Sequence, residues 1–205
     1  MDTQCRHCGS AHSVQERPLI NVARNPELKA RVRDGSLFVW ECPCCGSRNL
    51  AAWQTLYHDP SARLMVWLLP EGTEAPAHVE EAVKLLEGYT LRRVADVGSL
   101  VEKVNIQEAG LDDCIMEMCK WVTKMELAEK QHRDDILDAP FKFWRLEGAD
   151  HEIVLSFPLD GQMQAVNIGF NVYEDARGIL SRNPSVKPAG GFAEVDARWL
   201  SRFFR

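Results

Sequence analysis

Two short cysteine motifs contain the residues of this sequence that point most clearly to a chemical site. They are Cys5-Arg6-His7-Cys8-Gly9 and Cys42-Pro43-Cys44-Cys45-Gly46, with 33 residues between Cys8 and Cys42. Two thiolates three positions apart in a tight turn can bind one tetrahedral Zn²⁺, at about 2.3 Å each. The glycine after each pair permits the positive φ at which the chain turns back. The motifs therefore predict a zinc ribbon in which one structural Zn²⁺ is bound by Cys5, Cys8, Cys42 and Cys45.

Other interpretations of the same residues stay open at this point. Cys42-Pro43-x-Cys45 also matches glutaredoxin-type redox sites, where a helix N-terminus lowers the pKa of the attacking thiol. The residues after Cys45 instead predict a turn and a strand. We call each Cys-x-x-Cys-Gly turn a knuckle. A pair of knuckles that binds no metal is a third interpretation. Cys44, His7 and His12 are alternative ligands, and we expect the Cys44 side chain to point away from the metal and both histidines to be solvated.

A site closed by four thiolates leaves no position for water or substrate, so we expect the zinc to stabilise the fold without catalysing a reaction. The sequence also has no phosphate-binding Gly-rich loop, no Gly-x-Ser-x-Gly and no His-Glu-x-x-His. We therefore predict no catalytic residue and no cofactor besides Zn²⁺. These features favour a protein that is not an enzyme.

The charge of the chain is unevenly distributed. The net charge is −6, and residues 71–140 contain 16 of the 30 acidic residues against eight basic ones. An acidic band attracts a basic partner and disfavours the phosphates of nucleic acids. The seven cysteines are an odd number, which disfavours a disulfide framework.

The sequence predicts a cytoplasmic protein that does not contact a membrane. The N-terminal residues contain no apolar signal segment. The longest apolar run, from Leu64 to Leu69, is far too short to cross a bilayer.

The order of predicted elements indicates an α+β fold in two parts. Strands at 37–40, 50–56 and 64–69 surround the second motif, and helices follow at 76–86 and 99–108. Asp112 is placed to cap the longest helix, whose apolar stripe contains Leu111, Ile115, Met118, Val122 and Met125. The polar residues 131–140 predict a linker. We therefore expect a zinc-ribbon-containing domain at 1–139, with mixed sheet and helices, and a smaller C-terminal α+β subdomain at 140–205.

The first 130 residues resemble the CpXC family of bacterial and archaeal proteins, which is named for its Cys-Pro-x-Cys motif. Besides the two cysteine motifs, the resemblance rests on Ile20-Asn21-Val22, Asn25 to Lys29, Asp34 to Phe38, Leu56 to Asp59, Leu64 to Pro70, Gly88 to Arg92 and Ala109 to Asp113. It implies a zinc-ribbon-like N-terminal part followed by mixed α/β structure, and it implies no activity. Cys44 departs from the family pattern, where another residue type usually stands.

Three functions are compatible with these features. We favour a non-enzymatic protein-binding module, such as an immunity-type protein that neutralises a basic bacterial toxin through its acidic surface. A zinc ribbon that binds nucleic acid or the transcription machinery is the alternative, and it predicts a basic face built from Arg6, Arg17, Arg24, Arg31, Arg33 and Arg48. An enzyme is the second alternative, with a pocket near His58, Asp59, Asp112 and Asp113.

Overall fold

The structure is a computed structural model that describes residues 1–73 and 86–204. These residues form two compact units, one of Met1–Val104 with Gly191–Ala193 and the other of Asn105–Gly190 with Glu194–Arg205. Both units contain strands and helices, so the fold is α+β as predicted. Residues 76–85 of the helix predicted for 76–86 lie outside the described residues.

Two small hairpins carry the cysteine motifs. Strand β1 (Asp2–Gln4) pairs antiparallel with β2 (Ala11–Ser13), and β4 (Val39–Glu41) pairs antiparallel with β5 (Arg48–Leu50). Each strand has three residues. Isolated two-stranded hairpins are at best marginally stable in water, so these two need another source of stability.

The larger sheet of the first unit has four strands in the order β3-β6-β7-β8. These are β3 (Leu19–Asn21), β6 (Thr55–Asp59), β7 (Leu64–Leu68) and β8 (Thr90–Val94). The pairs β3–β6 and β7–β8 are parallel, and β6–β7 is antiparallel. All five residues of β7 are buried, which explains its continuous apolar run.

Helical segments complete the first unit. Helix α1 (Glu27–Arg33) contributes Leu28 and Val32 to the core, and a 3₁₀ turn at Ser36–Phe38 contributes Leu37 and Phe38. The strand predicted at 37–40 therefore starts only at Val39. Helix α2 (Val97–Glu108) contains the point at which the chain passes from one unit to the other.

The second unit joins helices to a three-stranded antiparallel sheet. Its strands β9 (Lys142–Glu147), β10 (Glu152–Leu159) and β11 (Gln162–Ile168) lie in the order β11-β10-β9. The helices are α3 (Asp113–Gln131), α4 (Asp135–Asp138), α5 (Phe170–Ser181) and α6 (Ala197–Leu200). In the core, the rings of Phe141 and Phe157 stack with their centroids 4.0 Å apart.

Helix α3 begins where the sequence predicts, but its buried face differs. The Asp112 carboxylate caps the helix by accepting the backbone N–H groups of Cys114 at 2.7 Å and Ile115 at 3.3 Å. Of the predicted apolar stripe, Met118 is buried whereas Met125 is 49% exposed. The buried face also contains polar residues, with a 2.6 Å ion pair between the buried side chains of Glu117 and Lys120.

The two units divide the chain after Val104. Helix α3 packs against α5, α4 and α6, all of which belong to the second unit. The domain boundary after residue 139 stays a prediction from the sequence. Within the two described ranges, no helix combines the length and apolar character needed to cross a membrane.

Candidate metal centre

The two cysteine motifs adopt the same backbone turn. In the first knuckle the N–H of Gly9 donates to the Cys5 carbonyl at 2.8 Å, and the N–H of Cys5 donates to the Ser10 carbonyl at 2.9 Å. The second knuckle has the same two bonds at the same distances. The N–H of Gly46 donates to the Cys42 carbonyl, and the N–H of Cys42 donates to the Ser47 carbonyl. Gly9 and Gly46 have φ values of 72° and 71°, which side chains rarely adopt. The glycines are therefore required by the turns.

The knuckles bring four sulfurs together from the two hairpins. Cys5 Sγ lies 3.7 Å from Cys45 Sγ, and Cys8 Sγ lies 3.7 Å from Cys42 Sγ. The four Sγ atoms are all within 4.8 Å of one another, and the cysteines are not in disulfides. Four bonds of about 2.3 Å to one tetrahedral ion would separate the sulfurs by about 3.8 Å. The cluster therefore fits a single metal ion.

Two serines connect the knuckles. In each knuckle, the serine comes directly after the Cys-x-x-Cys-Gly motif. Ser10 Oγ lies 3.0 Å from Cys8 Sγ in its own knuckle and 3.4 Å from Cys42 Sγ in the other. Ser47 Oγ lies 3.1 Å from Cys45 Sγ in its own knuckle and 3.1 Å from Cys5 Sγ. The site thus has an approximate two-fold symmetry that exchanges the knuckles. These serines are not among the site residues predicted from the sequence, although the Gly-Ser that follows each cysteine pair is a repeated pattern.

Asn49 also joins the two knuckles. Its Nδ2 donates to the Ser47 carbonyl at 2.9 Å and to Cys5 Sγ at 3.5 Å, while its Oδ1 accepts the backbone N–H of Arg6 at 2.9 Å. The amide therefore fixes the orientation of one knuckle against the other and directs an N–H at a sulfur.

The hydroxyl groups favour thiolates at the two buried cysteines. The Ser47 hydroxyl is the main cause that lowers the pKa of Cys5 to about 5, and the Ser10 hydroxyl does the same for Cys42, whose pKa falls to about 6. Ser47 also acts to lower the pKa of Cys45, but burial and the adjacent thiols of Cys8 and Cys42 outweigh it and raise that pKa to about 11. Without a metal, the thiols of Cys5 and Cys42 thus ionise more readily than that of Cys45, and a bound cation would favour the thiolate form of all its ligands.

Replacing Ser47 by alanine tests this electrostatic role. We expect metal affinity to fall by about 10- to 100-fold, as for other outer partners of metal ligands. Because the hydroxyl lowers the pKa of Cys5, its loss raises that pKa, and protons will displace the metal at a higher pH than in the wild type. Competition with a chromophoric chelator across pH measures both effects. Ser13→Ala, at an exposed position of strand β2, is the control, and equal affinities for the two variants would contradict the role.

The three neighbouring candidate ligands have different positions. His7 and Cys44 are exposed, whereas His12 is half-buried. The expectation that His12 is solvated holds only in part, because its Nε2 lies 2.8 Å from Ser10 Oγ and 3.5 Å from Cys42 Sγ. The ring also packs against Trp40, with centroids 5.3 Å apart.

The residues of the predicted enzyme pocket have structural contacts within their own units. Buried Asp59 accepts hydrogen bonds from the turn residues Ser61 and Ala62 and pairs with Lys29 at 2.9 Å. His58 contacts Tyr89 and Asn21, with Nε2 3.4 Å from the Tyr89 hydroxyl. Asp112 caps α3, and Asp113 is buried in its first turn. Asp59 and Asp112 thus have structural contacts, the first in a turn and the second at a helix N-cap.

The remaining predicted residues are distributed as follows. The arginines of the predicted basic face are exposed except Arg17, which is half-buried. Cys114 and Cys119 are both buried in the second unit, and burial raises the pKa of Cys119 to about 12. Cys119 is therefore an inert core residue.

Comparison with known proteins identifies one relationship. A family model described as CpXC protein matches residues 3–120, which is more than half of the chain and includes both knuckles. No curated protein and no solved structure matches the chain significantly.

Proposed function

The chain belongs to the CpXC family, and from this premise we propose that it is a non-enzymatic protein-binding module whose cysteine centre holds a structural Zn²⁺. Thiolate ligands in a tetrahedral arrangement favour Zn²⁺ among the divalent ions available in cells. The 3.7 Å separations of the sulfurs support this choice. Four sulfur ligands complete the coordination, so the ion would have no open position for a substrate.

The observation that carries the binding function is a groove on the second unit. It is a cavity of about 600 Å³ between the C-terminal half of α3, the following turn and α4. Three large apolar side chains in its lining are exposed, with 40% of Trp121, 49% of Met125 and 38% of Leu137 accessible. Large aromatic and Met side chains are enriched in protein interfaces.

The charges of the groove indicate the chemistry of the partner. Glu126, Glu129 and Asp134 line it, together with His132. Lys130 offsets part of this charge through a 3.6 Å pair with Glu126, in which both side chains are exposed and the interaction is weak. We therefore propose that the groove binds a basic protein segment whose apolar side chain contacts Trp121 and Met125.

An immunity-type role is the specific form of this proposal. A cytoplasmic protein that covers the basic surface of a toxin needs an acidic surface with an apolar centre, and the groove combines both properties. Co-expression with a basic toxin encoded beside it should restore growth, and a Trp121→Ala variant should not.

Binding of model peptides tests the groove directly. We expect a labelled peptide in which lysine and leucine repeat at helical spacing to bind, and its glutamate–leucine analogue to fail. Trp121→Ala should weaken binding by about 30-fold, the effect of losing an aromatic anchor worth about 2 kcal/mol. Fluorescence anisotropy at two salt concentrations measures the affinity and its electrostatic part.

A matched control separates the groove from general exposure of tryptophan. Trp144 on β9 is 52% exposed and does not line the groove, so Trp144→Ala should bind the peptide as the wild type does. Equal binding of the basic and acidic peptides, or equal losses for the two tryptophan variants, would overturn the proposal.

A further inference from the structure

The two halves of the cysteine centre differ in residue type at two pairs of equivalent positions, so its two-fold symmetry is incomplete. His12 stands three residues after Gly9, and Asn49 stands three residues after Gly46, so they are equivalent positions. In the same way, Cys44 occupies the slot of the second knuckle that His7 occupies in the first. One side of the centre thus has the amide of Asn49 and the imidazole of His7. The other side has the imidazole of His12 and a fifth thiol, that of Cys44.

The imidazole and the fifth thiol lie close to each other. His12 Nε2 is 3.5 Å from Cys42 Sγ and 3.9 Å from Cys44 Sγ. The ligand atoms of His12, Cys42 and Cys44 all lie within 4.8 Å of one another. For one tetrahedral ion, bonds of about 2.0 Å to nitrogen and about 2.3 Å to sulfur would separate N and S by about 3.5 Å. The spacing therefore matches three ligands of one ion.

We propose that His12, Cys42 and Cys44 bind a second thiophilic divalent ion, with Cys42 Sγ bridging it to the ion of the four-cysteine centre. The proposal rests on the four-cysteine site of the proposed function, since Cys42 belongs to both sets of ligands. Asn49 shows what the equivalent position does without ligation. Its amide forms hydrogen bonds, donating N–H groups to Cys5 Sγ and the Ser47 carbonyl and accepting the N–H of Arg6.

The second site has the properties of an accessible and exchangeable one. Its three protein ligands leave a fourth position for water or an external ligand. Cys44 is exposed, so an ion can reach this side directly. Because the bridging thiolate shares its electrons between two cations, the second ion binds more weakly than the first. It therefore occupies the protein only when metal exceeds one equivalent.

Titration of the full-length apo-protein with ¹¹³Cd²⁺, followed by ¹¹³Cd NMR, tests the proposal. We expect a first signal from a four-sulfur site and, beyond one equivalent, a second signal from a site with nitrogen and sulfur ligands. A scalar coupling between the two ¹¹³Cd nuclei would show that they share the sulfur of Cys42. Native mass spectrometry should count two ions per chain.

His12→Asn is the matched variant, because it installs the residue found at the equivalent position of the other knuckle. It keeps an N–H donor beside Cys42 and removes the ligand. We expect His12→Asn and Cys44→Ser each to keep the first signal and lose the second. A single ion at metal excess, or a second signal that survives both variants, overturns the inference but leaves the four-cysteine site intact. Failure to bind any ion would overturn the proposed zinc centre as well.

Discussion

Removing the metal is expected to unfold both knuckle hairpins and to leave the second unit protected. The hairpins β1–β2 and β4–β5 have strands of three residues each, and the sulfurs join their tips. Binding of structural zinc contributes on the order of 10 kcal/mol to the folding of such sites. Without it, short hairpins cannot offset the entropy of ordering the chain.

Hydrogen exchange with and without a strong chelator measures this effect. We expect amides in 1–17 and 39–50 to lose protection, while those of β9, β10 and β11 in the second unit keep theirs. Cys45→Ser should reproduce the chelated state without a chelator. Its neighbour Cys44→Ser is the control, because Cys44 is outside the four-sulfur cluster. Exchange and melting that do not respond to the chelator would contradict the structural role of the metal.

Replacing Asp59 by alanine is expected to lower the free energy of unfolding by about 3 kcal/mol, because it removes a buried carboxylate that pairs with the partly exposed Lys29 and accepts hydrogen bonds from Ser61 and Ala62. Its carboxylate is 1% exposed and accepts bonds from Ser61 Oγ at 2.6 Å and Lys29 Nζ at 2.9 Å. Alanine would leave the Lys29 ammonium without this acceptor and the backbone N–H groups of Ser61 and Ala62 without their side-chain cap. Urea unfolding compares the variant with Asp2→Ala, at an exposed position of strand β1, which we expect to match the wild type.

The pH dependence gives Asp59 a second signature. Burial alone would raise its pKa, but hydrogen bonds from Ser61 and Lys29 outweigh it and hold the pKa below the ordinary 3.8. A carboxyl group with a depressed pKa stabilises the fold at pH values above its ordinary pKa. This contribution is lost as the pH falls through the pKa of the folded state. Wild-type stability should therefore fall more steeply than that of Asp59→Ala below about pH 4. Parallel pH profiles would show that Asp59 has no such role.

Local features of this chain were predictable from sequence. The knuckles follow from the spacing of cysteine and glycine within five residues, and the Asp112 cap follows from the residues beside it. Both depend on backbone geometry over a single turn. The family resemblance, confirmed over residues 3–120, relies on the same short strings.

Features that depend on how elements pack were not predictable in the same way. The contacts of Ser10 and Ser47 with cysteines of the opposite knuckle exist only because the two hairpins meet. Met125 continues the apolar spacing of α3 but lies on the groove side, where it is exposed. In the polar segment after α3, Arg133 forms a 2.7 Å ion pair with Asp160, which lies 27 positions further along the chain. Apolar spacing and chain polarity do not specify such contacts between distant residues.

X-ray absorption spectroscopy of the protein loaded with one equivalent of zinc tests the central claim most directly. We expect the extended fine structure above the zinc edge to show four sulfur neighbours at about 2.3 Å and no nitrogen or oxygen ligand. Nitrogen or oxygen in the first coordination shell of the singly loaded protein, or zinc that is removed by gel filtration, would contradict a centre formed by Cys5, Cys8, Cys42 and Cys45.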